Sequence, residues 1–143
     1  MRVSARNVFQ GKIAAVRKGA VSTEVTLALK GGETLCSVIT NESATTLGLK
    51  VDIEAYAFFK ASAVVLARDL GDAKVSARNV LPGRVERIVN GPVNSEVTVA
   101  LSGGTVVTAI ITRESAEKRL ALAVGDRVHA LVKASSVIIG VDG

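Results

Sequence analysis

The sequence predicts a mainly β protein: two tandem five-stranded β-barrels, each carrying one short helix. Three observations lead there. The chain is duplicated, since VSARNV at residues 3–8 recurs at 75–80 and the two copies then run in parallel to Asp69 and Asp142. Apolar residues make up 48% of the 143 positions but aromatics only 3%, so the core is built from β-branched and small side chains, which suit strands. Period-two alternation is clean in both copies, with Val21, Thr23, Val25, Leu27 and Leu29 on one face and polar or small residues between them.

The elements follow in order. Residues 7–17 (NVFQGKIAAVR) predict a strand interrupted at Gly11 by a bulge or sharp bend. Lys18-Gly19 signals a turn, and residues 21–29 form the alternating second strand. Gly31-Gly32 closes a tight hairpin and residues 34–40 return; the second copy repeats this as 93–101, Gly103-Gly104 and 106–112. TNESATTL, matched by TRESAEKRL, predicts a short helix capped by Thr40 or Asn41. The second copy is one residue longer here, where a helix end absorbs it. Residues 53–59 and 127–132 form the fourth strand, the latter after a Gly125-Asp126 turn, and each ends at a shared KAS. Residues 64–66 and 137–139 form a short fifth strand.

Five short strands with a helix between the third and fourth is the order of a small OB-like barrel. The expected organisation is a first domain at 1–69, a linker at 70–74 and a second domain at 75–143. Units this small bury a modest share of their surface, so each copy leans on its twin or on other chains. The segment 68–74 is too short for a floppy tether, which places the barrels close together. No apolar run is long enough to span a bilayer, and MRVSARNVFQ lacks a signal-peptide apolar stretch, so the expectation is a soluble, cytoplasmic protein with no membrane partner.

Catalytic chemistry finds little to work with. Cys36 is the single cysteine and Thr108 stands in its place in the second copy; His129 is the single histidine and its counterpart is Tyr56. Neither a duplicated triad nor a cysteine or histidine metal site can be assembled from them. Glu24/Glu96 lies mid-strand, and Glu42/Glu114 lies in a first helical turn, where it favours the dipole. There is no phosphate-binding glycine loop. The sequence reads as that of a non-enzyme without a catalytic cofactor.

A formal charge of +5 fits either nucleic acid or small anions. Single-strand-binding barrels stack bases on aromatic rings. Here Phe9, Tyr56, Phe58 and Phe59 occur in the first copy only, replaced by Leu81, His129, Leu131 and Val132 in the second, which argues against a duplicated stacking platform.

What both copies retain beyond the apolar pattern is small, polar and cationic. Ser4, Arg6, Asn7, Thr40, Ser43, Lys60 and Ser62 recur as Ser76, Arg78, Asn79, Thr112, Ser115, Lys133 and Ser135. Taken singly, each has a plain structural use as a cap, a turn residue or a solvated strand end. Taken together, they are fixed positive charges and hydrogen-bond donors, the inventory that holds a doubly charged oxyanion without a metal. Thr40 and Ser43 stand where a helix start offers free N–H groups.

SARN near each copy's start, IT-x-ES at the helix and KAS near the end, in that order and duplicated across the whole chain, resemble the Mop domains, small molybdate-binding units also called molbindins. The chain is most similar to the free-standing tandem proteins of cytoplasmic molybdate storage. The sequence offers no winged helix and no Walker motif, which sets it apart from the related regulator and transporter-ATPase subunits. The resemblance implies OB-like barrels, molybdate or tungstate as ligand, and sites between barrels of different protomers in a trimer. It implies that Ser4, Arg6, Lys60 and Ser62 line one side of a site, with a backbone N–H from Ala61, while Thr40 and Ser43 of a neighbouring barrel close the other. Ser76, Arg78, Lys133, Ala134, Ser135, Thr112 and Ser115 would do likewise. It also implies a second kind of site on a symmetry axis, at Gly19, Val21 and Ser22 and at Gly91, Val93 and Asn94. The alternatives to a molybdate store are a basic nucleic-acid-binding barrel and a regulatory interaction module.

Overall fold

The computed structural model describes residues 1–143 as two five-stranded antiparallel sheets with one short helical segment each. In chain order the strands are β1 (Asn7–Lys18), β2 (Ser22–Leu29), β3 (Thr34–Thr40), β4 (Glu54–Phe59) and β5 (Val65–Ala67), then β6 (Asn79–Asn90), β7 (Asn94–Leu101), β8 (Val106–Thr112), β9 (Arg127–Val132) and β10 (Ile138–Gly140). No helix is long and apolar enough to cross a membrane.

The predicted strands are present, and the hairpins turn where the glycine pairs stand. Each glycine of a pair has its own reason. Gly32 and Gly104 have φ of +95° and +89°, where a Cβ is strained. Gly31 and Gly103 lie where the tips of the two hairpins meet, and a side chain on either would run into the other's carbonyl. Gly83 likewise lets β6 pass over β7, since an added Cβ would lie 2.7 Å from the Ala100 carbonyl oxygen. The register break expected at Gly11 falls slightly later, between Ile13 and Ala15, and its twin lies between Val85 and Arg87. Val21, expected on the buried face, is 84% exposed because β2 begins only at Ser22.

The one-residue difference between copies is absorbed in the helices. In α1 (Asn41–Thr46) the Ser43 carbonyl accepts from Leu47 N, the α-helical spacing. The equivalent Ser115 carbonyl accepts from Leu120 N, one residue further on, so Ser115–Arg119 is a π-helical turn.

Strand connectivity departs from two self-contained barrels. The sheet orders are β10-β4-β1-β2-β3 and β5-β9-β6-β7-β8. Each sheet therefore takes its fifth strand from the other repeat. Val65–Ala67 pairs with β9, and Ile138–Gly140 pairs with β4. The 3₁₀ turns that precede them, Ala61–Ala63 and Ala134–Ser136, pack on β8 and β3 of the opposite repeat. Arg68, just past β5, fastens the crossing: its Nη1 donates to the carbonyls of Leu120 and Ala121, each at 2.9 Å, and to Asp126 at 2.8 Å. Val64, Leu66, Val137 and Ile139 are delivered by the crossings into one continuous core that draws on both repeats.

Two buried asparagines complete the interlock. Asn7 and Asn79 are 1% and 3% exposed. Asn7 Nδ2 donates to the Thr108 carbonyl at 2.8 Å and its Oδ1 accepts from Thr108 N at 2.7 Å. Asn79 does the same to Cys36 at 2.8 Å in both directions. Each amide acts as a one-residue strand on the otherwise open edge of β3 or β8. Asn79→Ala leaves a backbone donor and acceptor of β3 without partners, at about 1–3 kcal/mol for each buried group. Because Cys36 is only half-buried, urea unfolding is expected to show a loss in the lower part of the summed range, roughly 2–4 kcal/mol; a loss below half a kcal/mol would mean the amide ties nothing.

Candidate functional site

The replicated polar residues gather around the two strand edges that the asparagines cover. Ser4 to Asn7 lead into β1 and bring Arg6 across β8 to Glu96 on β7, with which it forms an ion pair. Arg78 makes the reciprocal contact: Nη2 donates to Glu24 Oε1 at 2.8 Å and Nη1 to Oε2 at 3.2 Å. The pairs are only partly shielded, with the two arginine side chains 52% and 53% exposed. Hydrogen bonding from Arg78 holds the Glu24 carboxyl below its ordinary range, and the guanidinium is raised in return. Neither glutamate was singled out for function from the sequence, although their presence in both copies was the signal available.

Lys60 and Ser62 are exposed on the turn that packs on β8, while Ala61 is buried beneath them. Lys133, Ser135 and Ala134 repeat this arrangement on β3. Thus Arg6, Lys60 and Ser62 of the first repeat flank one strand of the second, and Arg78, Lys133 and Ser135 flank its twin in the first. Ser4 and Ser76 are exposed in the segments just before Arg6 and Arg78. Asn7 and Asn79 stand apart from this group, because both ends of each amide are already committed to backbone.

Thr40 and Thr112 end those same strands. Thr40 Oγ1 accepts from Ser43 N at 3.1 Å and Thr112 Oγ1 from Ser115 N at 3.1 Å; in each pair the two hydroxyls lie 2.8 Å apart. The cap expected from sequence is therefore present in both copies. Ser22 faces Thr40 in the ladder and Asn94 faces Thr112, so the candidate axial turns lie at the same end. In those turns Gly19 N donates to Ser22 O, and Gly91 N to Asn94 O, both at 2.8 Å. Asn41 Nδ2 and Arg113 Nη1 reach back to the Gly19 and Gly91 carbonyls at 3.1 and 3.3 Å. Val93, like Val21, projects into solvent, at 71% exposed.

Other chemistry is poorly served. Burial pushes the Cys36 thiol above its ordinary value, which disfavours the reactive thiolate. Phe59 is buried and Phe9 packs on it with ring centroids 5.7 Å apart, so this aromatic pair belongs to the core rather than to a stacking surface. A cleft of about 560 Å³ opens at the end of the second barrel, lined by Arg84, Arg127 and His129 among others, and contains none of the replicated set.

Comparison with known proteins gives concordant findings. Residues 3–66 and 75–139 each match the family model for the TOBE domain. The chain is 44% identical over 139 residues to the molybdenum-pterin-binding protein MopA of Rhodobacter capsulatus, covering 97% of this chain and 52% of that protein. It is 43% identical over 143 residues to the molybdenum transport protein ModE of Azotobacter vinelandii, covering 100% and 52%. The chain thus spans about half the length of the curated relatives it matches. Among solved structures, the cytoplasmic molybdate-binding protein ModG with molybdate bound superimposes with a TM-score of 0.95 at 46% identity, over 99% of this chain and 100% of that one.

The Arg78–Glu24 pair has a definite pH signature. A carboxylate whose folded pKa is depressed stabilises the fold above its unfolded value, about 4.3, and that stabilisation is lost as pH falls through the lowered folded value. Arg78→Met is therefore expected to raise the Glu24 titration midpoint seen by carboxyl-detected NMR, and to narrow its stability gap from the parent protein below about pH 4. An unmoved midpoint would mean the pair does not persist in solution.

Proposed function

This chain belongs to the TOBE-domain family as a tandem pair of units, and from that we propose that it binds molybdate, and tungstate through the same contacts, and serves to store or buffer the oxyanion. The observation that carries the reading is the end-to-end likeness to ModG, which matches both units in one chain. The replicated inventory of cations and hydroxyls supports it from the chemistry. A tetrahedral dianion needs several donors converging from different directions, and no single element of this fold offers them. We assign one side of each site to Ser4, Arg6, Lys60, Ser62 and the backbone N–H of Ala61, with Ser76, Arg78, Lys133, Ser135 and Ala134 as their equivalents. Thr40 and Ser43, or Thr112 and Ser115, of a neighbouring protomer close the other side. The turns around Val21 and Val93 are assigned to a separate axial site in a trimer. Asn7 and Asn79 are left out of the ligand set, since both are buried with their amides bonded to the backbone of Thr108 and Cys36.

The magnitudes are adequate. Charge-assisted hydrogen bonds contribute roughly 1.5–3 kcal/mol each, and three or four of them, less ordering costs, reach the ~8 kcal/mol of a micromolar complex. Anion binding between protomers would also stabilise the assembled form by mass action. A second reading rests on the coverage: because the longer transcriptional regulator ModE of Yersinia pestis matches over about half its length, the same pair of units would act as the anion-sensing part of a regulator.

Isothermal titration tests the assignment. Molybdate is expected to bind with sulfate present in excess, and Arg6→Ala combined with Arg78→Ala to weaken it by roughly 10- to 100-fold per site. Sedimentation should give the mass of three chains. No heat from molybdate in an assembled sample would overturn the reading.

A further inference from the structure

Glu24 and Glu96 raise a problem for any anion site. They are carboxylates, present in both repeats, and each sits against an arginine assigned to the oxyanion. By charge alone they repel the ligand. We infer that they are positioning and specificity-determining residues, which hold the arginines of the opposite repeat in one orientation and cancel their bare charge. The inference rests on the assignment of Arg6 and Arg78 to the oxyanion.

The geometry favours positioning over simple competition. Glu24 receives one N–H from each terminal nitrogen of Arg78, at 2.8 and 3.2 Å. A guanidinium has five N–H donors in a fixed plane, so this fork engages two and leaves the Nε edge and the outer N–H groups available. The arginine side chain remains 53% exposed, so the pairing does not enclose it. An unpaired arginine samples many rotamers and must be ordered on binding; one already held by a carboxylate presents a fixed donor edge at lower entropic cost.

The same pairing bears on selectivity. An unpaired guanidinium attracts any dianion by charge. Once neutralised by Glu24 or Glu96, it contributes mainly through the direction of its N–H groups, so discrimination rests on how an anion's oxygens meet the donors. The arrangement is reciprocal: each repeat's arginine is oriented by the other repeat's strand, at Glu24 on β2 and Glu96 on β7. The interlock that completes the barrels thus also places the donors. Charge around the two glutamates is unequal, because Glu24 faces Arg17 in the ladder where Glu96 faces Val89, so Glu96 is the more dependent on its single arginine.

The test is calorimetry with molybdate, and separately with sulfate, on the intact assembly of the Glu24→Gln, Glu96→Gln variant. Molybdate affinity is expected to fall about tenfold and the molybdate-to-sulfate ratio to fall with it, while the assembly mass is unchanged. In the background of Arg6→Ala, Arg78→Ala the same glutamate changes should have no further effect, because they act through the arginines; an equal loss there would reveal a structural role and overturn the inference. Unchanged or tighter molybdate binding would overturn it too, tighter binding marking the glutamates as competitors. Arg6→Lys with Arg78→Lys, which keeps the charge but loses the planar guanidinium donors, should reproduce the loss of discrimination and serves if the glutamine variant fails to fold. Failure of the parent protein to bind molybdate would instead strike the functional reading itself.

Discussion

Everything in this molecule depends on a fifth strand that each barrel does not make for itself. β5 completes the sheet of the second repeat and β10 completes that of the first. A barrel of this size buries too little surface to stand securely alone, and one lacking an edge strand would also expose a row of unpaired backbone groups. Exchange removes both problems at once. The consequence is that each repeat's sheet is complete only with a strand of the other, and Arg68, Asn7 and Asn79 are the polar fastenings that hold the exchange in register.

The exchange also explains where the polar residues stand. A chain that crosses between barrels must pass over the other repeat's edge strand. The residues at the crossing, Lys60 and Ser62 in one repeat and Lys133 and Ser135 in the other, are therefore displayed on that edge. Asn7 enters the same edge from the opposite end of its repeat and carries Arg6 with it to Glu96. Residues distant in sequence meet because a single structural device, the covering of an open strand edge, recruits all of them.

Much of the fold was legible in the sequence. Alternation marked the β2–β3 hairpin and its twin, the glycine pairs marked their turns, and Thr40 and Thr112 cap the helical segments as their sequence context implies. The exchange was not legible, for a physical reason: residues 64–66 and 137–139 have the same apolar pattern, so either barrel accepts either strand. Asn7 and Asn79 were recognised as replicated polar residues, but their burial against another repeat's backbone is a tertiary fact that no local pattern encodes. The same holds for Glu24 and Glu96, read from the sequence only as mid-strand residues, whose arginine partners lie far away in the chain. The π-helical turn in the second copy shows the reverse case, in which one extra residue visible in the sequence has a direct structural consequence.

The central claim is that the edges of β3 and β8, dressed by the opposite repeat, form the oxyanion sites. Anomalous diffraction at the molybdenum edge, from crystals grown with molybdate, tests it most directly. The account predicts anomalous peaks within hydrogen-bond distance of Arg6, Lys60 and Ser62 and of their counterparts Arg78, Lys133 and Ser135, with Thr40–Ser43 or Thr112–Ser115 of another protomer on the far side. Peaks confined to other surfaces, with those arginines still paired only to Glu96 and Glu24, would contradict it.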